Sequence, residues 1–405
     1  MRLLKWLLAV AAALPLLALA TLYVTEPVVA QRYLSLFTAA ADDFEALRPR
    51  VPLNGAAPLI LPVAAPGDRL ISPAGLTAMQ EYAAAQDSWA LVVVQDGRIQ
   101  AEWYAEGWNR QRLAQSQSMH KSILPVLLQA AVEDGYIDSL TDPFGKYVVE
   151  WRDDPRGQIT IEQMLWMSSG LLEYPFSLNP FSDAFRWLFG SDITPVLLRT
   201  PLDWEPGARF NYNNVNSELL GLLLERSTGN TYAEYLAKRL WEPMGGADAE
   251  LWLDSAGGKA HSSCCLLAAA MDWAKFGMLL LGRGEIDGRR IVSADFVDRM
   301  VTASPTFDWY GYHIWLGYSR ALNPRASKLE GGYQRTDPFD AEDTFYTSGF
   351  GAQRVYVVPS AGLVIVRMGP ATGRAPVRES WDNTYLVNTA LRNQLSRQEQ
   401  LAGNL

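Results

Sequence analysis

At 405 residues, 49% of them hydrophobic and 20% charged, the chain carries enough apolar material for a sizeable core, which excludes a disordered protein. A formal net charge of −9, with no Lys/Arg cluster, leaves no basic field to meet a phosphate backbone, so no nucleic-acid partner is expected. The two cysteines, Cys264 and Cys265, are adjacent and the three histidines, His120, His261 and His313, lie at no metal-ligand spacing. A zinc hydrolase is therefore disfavoured, and the cysteines read as small buried residues outside any ordinary disulfide framework.

In chain order, residues 6–24 form an uncharged apolar run, with Arg2 and Lys5 before it and Glu26 after it. At ~1.5 Å per residue the run reaches roughly 28 Å, enough to cross a bilayer. The positive residues ahead of it place the remainder outside the cytoplasm, on the periplasmic side. Two outcomes stay open: a membrane anchor over residues 1–25, or a signal segment removed at a small-residue site such as Ala18-Leu19-Ala20, which leaves a secreted domain. Residues 26–72, with scattered Pro, Ala and Gly, read as a membrane-proximal linker, and folding is expected from about Pro73.

Residues 74–86 have helical spacing. The β-rich runs 89–94 and 98–104 flank Asp96-Gly97, a strong hairpin signal. Helical spacing then dominates, over 160–167, 183–188, 216–226, 232–240, 266–281 and 294–300. Strands return at 310–318, 353–358 and 363–368, with Pro359-Ser360-Ala361-Gly362 as the turn between the last two. A helix over 380–395 and a polar tail over 396–405 close the chain. This order predicts one α/β (α+β) domain over 73–395. Its antiparallel sheet is built from 73–115 and 305–395 and flanked by helices, and a mostly helical part, 116–304, is inserted between.

Chemistry concentrates at Ser118-Met119-His120-Lys121, which heads the apolar run 123–132. On a helix Ser118 and Lys121 share a face, so the lysine amine reaches the serine hydroxyl. A serine is a poor nucleophile until its proton is removed, and a lysine made neutral by burial does this. The unpaired N–H groups of a helix start favour the negative charge that develops. The alternative is a solvated Ser/Lys pair on a surface helix. No Gly-x-Ser-x-Gly elbow occurs, which argues against a Ser-His-Asp triad. His120 points away from Ser118 by helical spacing, and His261 reads as a polar cap.

A second stretch, Pro206-Gly207-Ala208-Arg209-Phe210-Asn211-Tyr212-Asn213-Asn214-Val215-Asn216-Ser217-Glu218-Leu219-Leu220-Gly221, presents a tyrosine that can relay protons beside a cation and asparagine amides that can bind the lysine or a substrate. A third, Tyr346-Thr347-Ser348-Gly349-Phe350-Gly351-Ala352-Gln353, is glycine-rich. Taken together, these stretches resemble the serine β-lactamase and penicillin-binding-protein superfamily. The chain is most similar to class C β-lactamase-related hydrolases and esterases, including the 6-aminohexanoate-dimer (nylon-oligomer) hydrolase group, over about residues 75–395.

The resemblance implies a β-lactamase-like fold and a serine hydrolase acting on an amide or ester bond of a small molecule through an acyl-enzyme on Ser118. Lys121 and Tyr212 would be its activating residues, and no cofactor or metal would be needed. It also implies an oxyanion hole from the backbone N–H groups of Ser118 and Phe350, with Tyr174, Asn214, Gly349 and Gly351 toward the substrate. The stretches around Gly170, Gly245 and Gly277 look architectural, with the glycines at helix C-termini. The third stretch departs from the β-lactamase and peptidase pattern by lacking a cation to bind a substrate carboxylate, which puts β-lactam recognition in doubt. The rival reading is a sensor or binding protein on the same fold that is acylated or bound without turnover. Preference among ester, amide and peptide is set by loops such as 171–200 and 320–345, which no motif constrains.

Overall fold

The structure, a computed structural model, describes residues Trp6, Leu17, 19–38, Phe44, 47–55, 57–317, 338–370 and 381–396. Its strands in chain order are β1 (Arg50–Leu53), β2 (Ala90–Gln95), β3 (Arg98–Tyr104), β4 (Ala114–Gln115), β5 (Ala249–Trp252) and β6 (Leu266–Ala268). They continue as β7 (Glu285–Ile286), β8 (Arg289–Arg290), β9 (Trp315–Leu316), β10 (Phe345–Gly349), β11 (Gln353–Val358) and β12 (Leu363–Met368). The β2–β3 hairpin turns at Asp96 and Gly97, both left-handed (φ 48° and 74°), a turn whose twist matches that of the paired strands.

The larger sheet has the antiparallel order β3-β2-β12-β11-β10-β9, so both ends of the chain build it. Strand β2 is buried along its whole length and therefore reads as an unbroken apolar run rather than an alternating one. One face of the sheet takes the helices Pro73–Ala85 (α1) and Tyr385–Arg392 beneath Leu91, Val93, Tyr356 and Ile365. The other face takes helix Ala270–Leu281 and the helical block, through Val92, Val94, Val355 and Val364. Gly277 lies inside that helix, not at its end as expected. A Cβ there would stand 2.5 Å from Val364 Cγ1, so the glycine lets the helix lie directly on β12. Gly170 and Gly245 do take the expected left-handed backbone (φ 79° and 70°).

A second antiparallel sheet, β1-β5-β6-β4, was not expected, because its strands have only two to four residues. Residues 266–268, read as the start of a helix, form β6, and the helix begins at Ala270. The β-like run 310–317 is strand only at β9. Residues 318–337, which include Tyr318 and most of the expected loop 320–345, and residues 397–405 lie outside the described residues. Cys264 and Cys265 are joined to each other, a correction to their reading as separate small residues.

The expected membrane anchor also requires correction. Most of the run 6–24 lies outside the described residues, and among the described residues no helix is long and apolar enough to cross a membrane. What is described packs on the domain. Leu22, Val29 and Ala30 are buried against Phe185, and the buried Arg32 donates to the carbonyls of Gly190 (2.8 Å), Leu253 (2.6 Å) and Arg48 (2.9 Å). Likewise β1, within the stretch read as linker, pairs with β5 from Arg50↔Trp252 to Leu53↔Ala249.

Candidate active site

Ser118 stands in a tight helical turn, Gln117–Ser122, that runs directly into helix Ile123–Glu133, here α2. This helix is buried on all sides from Ile123 to Ala131, as a sequence apolar but for Gln129 requires, so the turn at its head is held in place. Gln117, just before Ser118, takes a left-handed backbone (φ 51°) unusual for a residue with a side chain. Its carbonyl accepts from the Ser116 hydroxyl at 3.1 Å and from the Cys265 N–H at 3.4 Å.

Lys121 Nζ donates to Ser118 Oγ at 3.0 Å and to the carbonyl of Ser263 at 2.5 Å. The lysine is 1% exposed, and burial pushes its pKa down to about 7, partly opposed by the charge of Glu218. An amine poised near neutrality beside a hydroxyl can exchange a proton with it. The solvated surface pair is thus excluded for Lys121.

The second stretch enters from the other side. Asn213 caps helix Asn214–Thr228 (α3): its side chain accepts the Val215 N–H at 3.0 Å and donates to the carbonyls of Leu171 and Leu172. That cap fixes Tyr212 just outside the helix, with its ring centroid 5.4 Å from Lys121 Nζ. Trp315 stacks on Tyr212 at 5.9 Å, and Tyr310 meets it edge-on at 6.2 Å. Ser118, Lys121 and Tyr212 are therefore brought together.

The glycine-rich stretch arrives as the end of β10. A Cβ on Gly349 would lie 2.4 Å from the carbonyl oxygen of Ser116 and 3.0 Å from Gln117 Cβ, so the strand passes as close to the nucleophile turn as backbone allows. Gly351 follows with φ 75°, and Phe350 between them is 44% exposed. The Gln353 side chain ties this turn down, donating to the carbonyls of Phe350 (3.3 Å) and Gly369 (2.5 Å).

Asn214 is half-buried at the first position of α3. Tyr174 packs against the helical core, and its hydroxyl accepts from Thr200 Oγ1 at 3.3 Å. His120 bonds Tyr232 and His313 bonds Ser217 and the Leu165 carbonyl; burial lowers both imidazoles to about 3, so neither carries charge at neutral pH. His261 is a buried partner of Glu218 rather than a cap. Glu218 lies within the second stretch but has no role in its sequence reading, and Ser263 and Trp315 lie in no motif; what joins all three to Ser118 is packing between segments distant in sequence. A cavity of about 560 Å³ lined by Leu59, Arg110, Met271 and Lys275 lies elsewhere and shares no lining residue with this cluster.

A family model described as Beta-lactamase matches residues 77–387. The chain belongs to the beta-lactamase family. This family member is similar to the 6-aminohexanoate-dimer hydrolase of Paenarthrobacter ureafaciens, 26% identical over 296 residues that cover 69% of this chain and 71% of that protein. It is also similar to protein flp of Staphylococcus aureus strain MW2, 29% identical over 109 residues, 26% of this chain and 22% of flp. Among solved structures its fold is similar to a Bacillus anthracis chain provisionally described as a 6-aminohexanoate-dimer hydrolase (TM-score 0.68, 20% identity, 91% of this chain and 94% of that one). A penicillin-binding-protein homologue from Caulobacter crescentus is a further likeness (TM-score 0.60, 15% identity, 80% of this chain and 99% of that one). The fold is β-lactamase-like, and kinship with proteins named as hydrolases supports hydrolase activity.

Proposed function

We propose that the protein is a serine hydrolase cleaving an amide or ester bond of a small molecule through an acyl-enzyme on Ser118. The observation that carries the reading is the 3.0 Å contact from the buried Lys121 amine to the Ser118 hydroxyl. Neutral Lys121 takes the hydroxyl proton as Ser118 Oγ attacks the substrate carbonyl carbon. The oxyanion sits between the backbone N–H groups of Ser118 and Phe350, which the close approach of Gly349 to the turn supports.

As the tetrahedral adduct collapses, the Tyr212 hydroxyl protonates the departing amine or alcohol and regains its proton from Lys121. Water then attacks the acyl carbonyl, its proton passing to the same pair, and Ser118 is released. Asn214, Gly349, Gly351 and Tyr174 border the substrate in this reading. The similarity to a 6-aminohexanoate-dimer hydrolase supports the amide side of the proposal. Turnover of short-chain p-nitrophenyl esters and acyl anilides checks it: Ser118→Ala is expected to fold normally by circular dichroism and to lose at least 10³-fold in kcat/KM, since nucleophile loss leaves only residual catalysis. Retained turnover in that variant overturns the reading.

A further inference from the structure

Glu218 is the least expected residue near the site: a carboxylate with no exposed surface, in a helix that buries no other charged side chain. It is fully engaged with the segment 261–263. One carboxylate oxygen accepts the Ser263 N–H at 3.1 Å and faces His261 Nδ1 at 3.2 Å; the other accepts the Ser262 N–H at 3.2 Å and the Ser262 hydroxyl at 3.3 Å. The helix is shaped for this contact, because a Cβ on Gly221, three residues along, would stand 2.2 Å from Ser262 Oγ. The segment held in this way presents the Ser263 carbonyl to Lys121 Nζ at 2.5 Å. Each end of the chain of contacts is buried: Glu218 at one, the lysine beside Ser118 at the other.

We propose that Glu218 is the positioning residue for the base: acting through the Ser262 and Ser263 amides, it holds the Ser263 carbonyl on Lys121, and its charge sets the pH at which that lysine becomes neutral. The proposal rests on the reading of Lys121 as the base. A buried lysine unopposed by negative charge gives up its proton too early and is a weak base; a carboxylate nearby restores proton affinity toward the working pH. Burial pushes the Glu218 carboxyl up, but His261, Lys259 and the donors of the 261–263 segment together outweigh it and hold its pKa well below the carboxylate range. Facing Glu218 are His261, Lys259, His120 and Tyr232; facing Lys121 are Tyr212, His313 and His120. Lys259 is itself shared with Glu225 at 3.9 Å. Burial keeps His120 and His313 neutral above about pH 3, so Glu218 is the anion that acts on Lys121 near neutrality.

The test is the pH profile of kcat/KM for a p-nitrophenyl ester, in the wild-type chain, Glu218→Gln and Glu218→Asp, with folding followed by thermal unfolding. In Glu218→Gln the acid limb is expected to move down by about one pH unit, a tenfold loss of proton affinity at the base, while kcat falls about tenfold and KM changes less than about twofold. Glu218→Asp keeps the charge but draws it back by one methylene, so it is expected to lie between the two in both limb and rate. Should Glu218→Gln fail to fold, Glu218→Asp carries the test alone, by a smaller shift in the same direction. A limb that coincides with wild type, whether or not the rate drops, overturns the proposal and leaves Glu218 a structural residue. A wild-type chain with no acid limb and no acylation of Ser118 overturns the underlying reading of Lys121, and this inference falls with it.

Discussion

The chemistry turns on the protonation state of one amine. Lys121 in water would be an ammonium until pH 10 and useless as a base; in the protein it is buried in the turn that heads α2, and burial lowers its pKa to about 7. Because the depressed group must be neutral to take the serine proton, activity is present above that value and lost below it. Acylation is therefore expected to fall about tenfold per pH unit below pH 7, measured as kcat/KM for a p-nitrophenyl ester with the product read at the isosbestic wavelength of p-nitrophenol. Lys121→Arg, which cannot become neutral, is expected to lose about 10²- to 10⁴-fold at every pH. Activity in that variant with an unchanged profile would mean that another group takes the proton.

At the scale of elements, two strand approaches join the capped start of α3 in building the site around the Ser118 turn. The first is β10, whose Gly349 touches the turn through backbone. Gly349→Ala is expected to push the strand away from Ser116, since 2.4 Å to a carbonyl oxygen is no distance for a methyl group, and to cut acylation more than about tenfold. Unchanged acylation rates in that variant would remove β10 from the oxyanion site. The second approach is the pairing of β4 with β6, Ala114↔Ala268 and Gln115↔Leu267, which continues past the strands and brings Ser263 beside Lys121.

This difference of scale explains what the sequence discloses. Ser118 and Lys121 are legible because their relation is one turn of helix, and Tyr212 because a whole stretch surrounds it. The β2–β3 hairpin is legible because Asp96-Gly97 fixes it locally. Glu218 and Ser263 are not, because their partnership passes through the pairing of strands of two and three residues, too short to show alternation. Gly277 misleads for a similar reason: a glycine that ends a helix and one that lets a helix lie on a sheet look alike until the packing is known.

At the scale of the molecule, the six-stranded sheet takes its strands from both ends of the chain, and helices from between them pack on the face lined by Val92, Val94, Val355 and Val364. The region before the first sheet strands also belongs to the fold. Arg32 is 2% exposed and bridges Gly190, Leu253 and Arg48, three segments far apart in sequence. Arg32→Ala strands those carbonyls in the interior and is expected to cost about 2–3 kcal/mol, read as a lower denaturant midpoint at unchanged m. A midpoint equal to wild type would show that the N-terminal helix does not contribute to stability.

The account as a whole stands on a covalent event at one residue. Intact-mass analysis of the protein after exposure to a fluorophosphonate, followed by peptide mapping, is expected to show a single adduct on Ser118, absent in Ser118→Ala and strongly slowed in Lys121→Arg. An adduct on any other residue, or none in a folded wild-type chain, would contradict it.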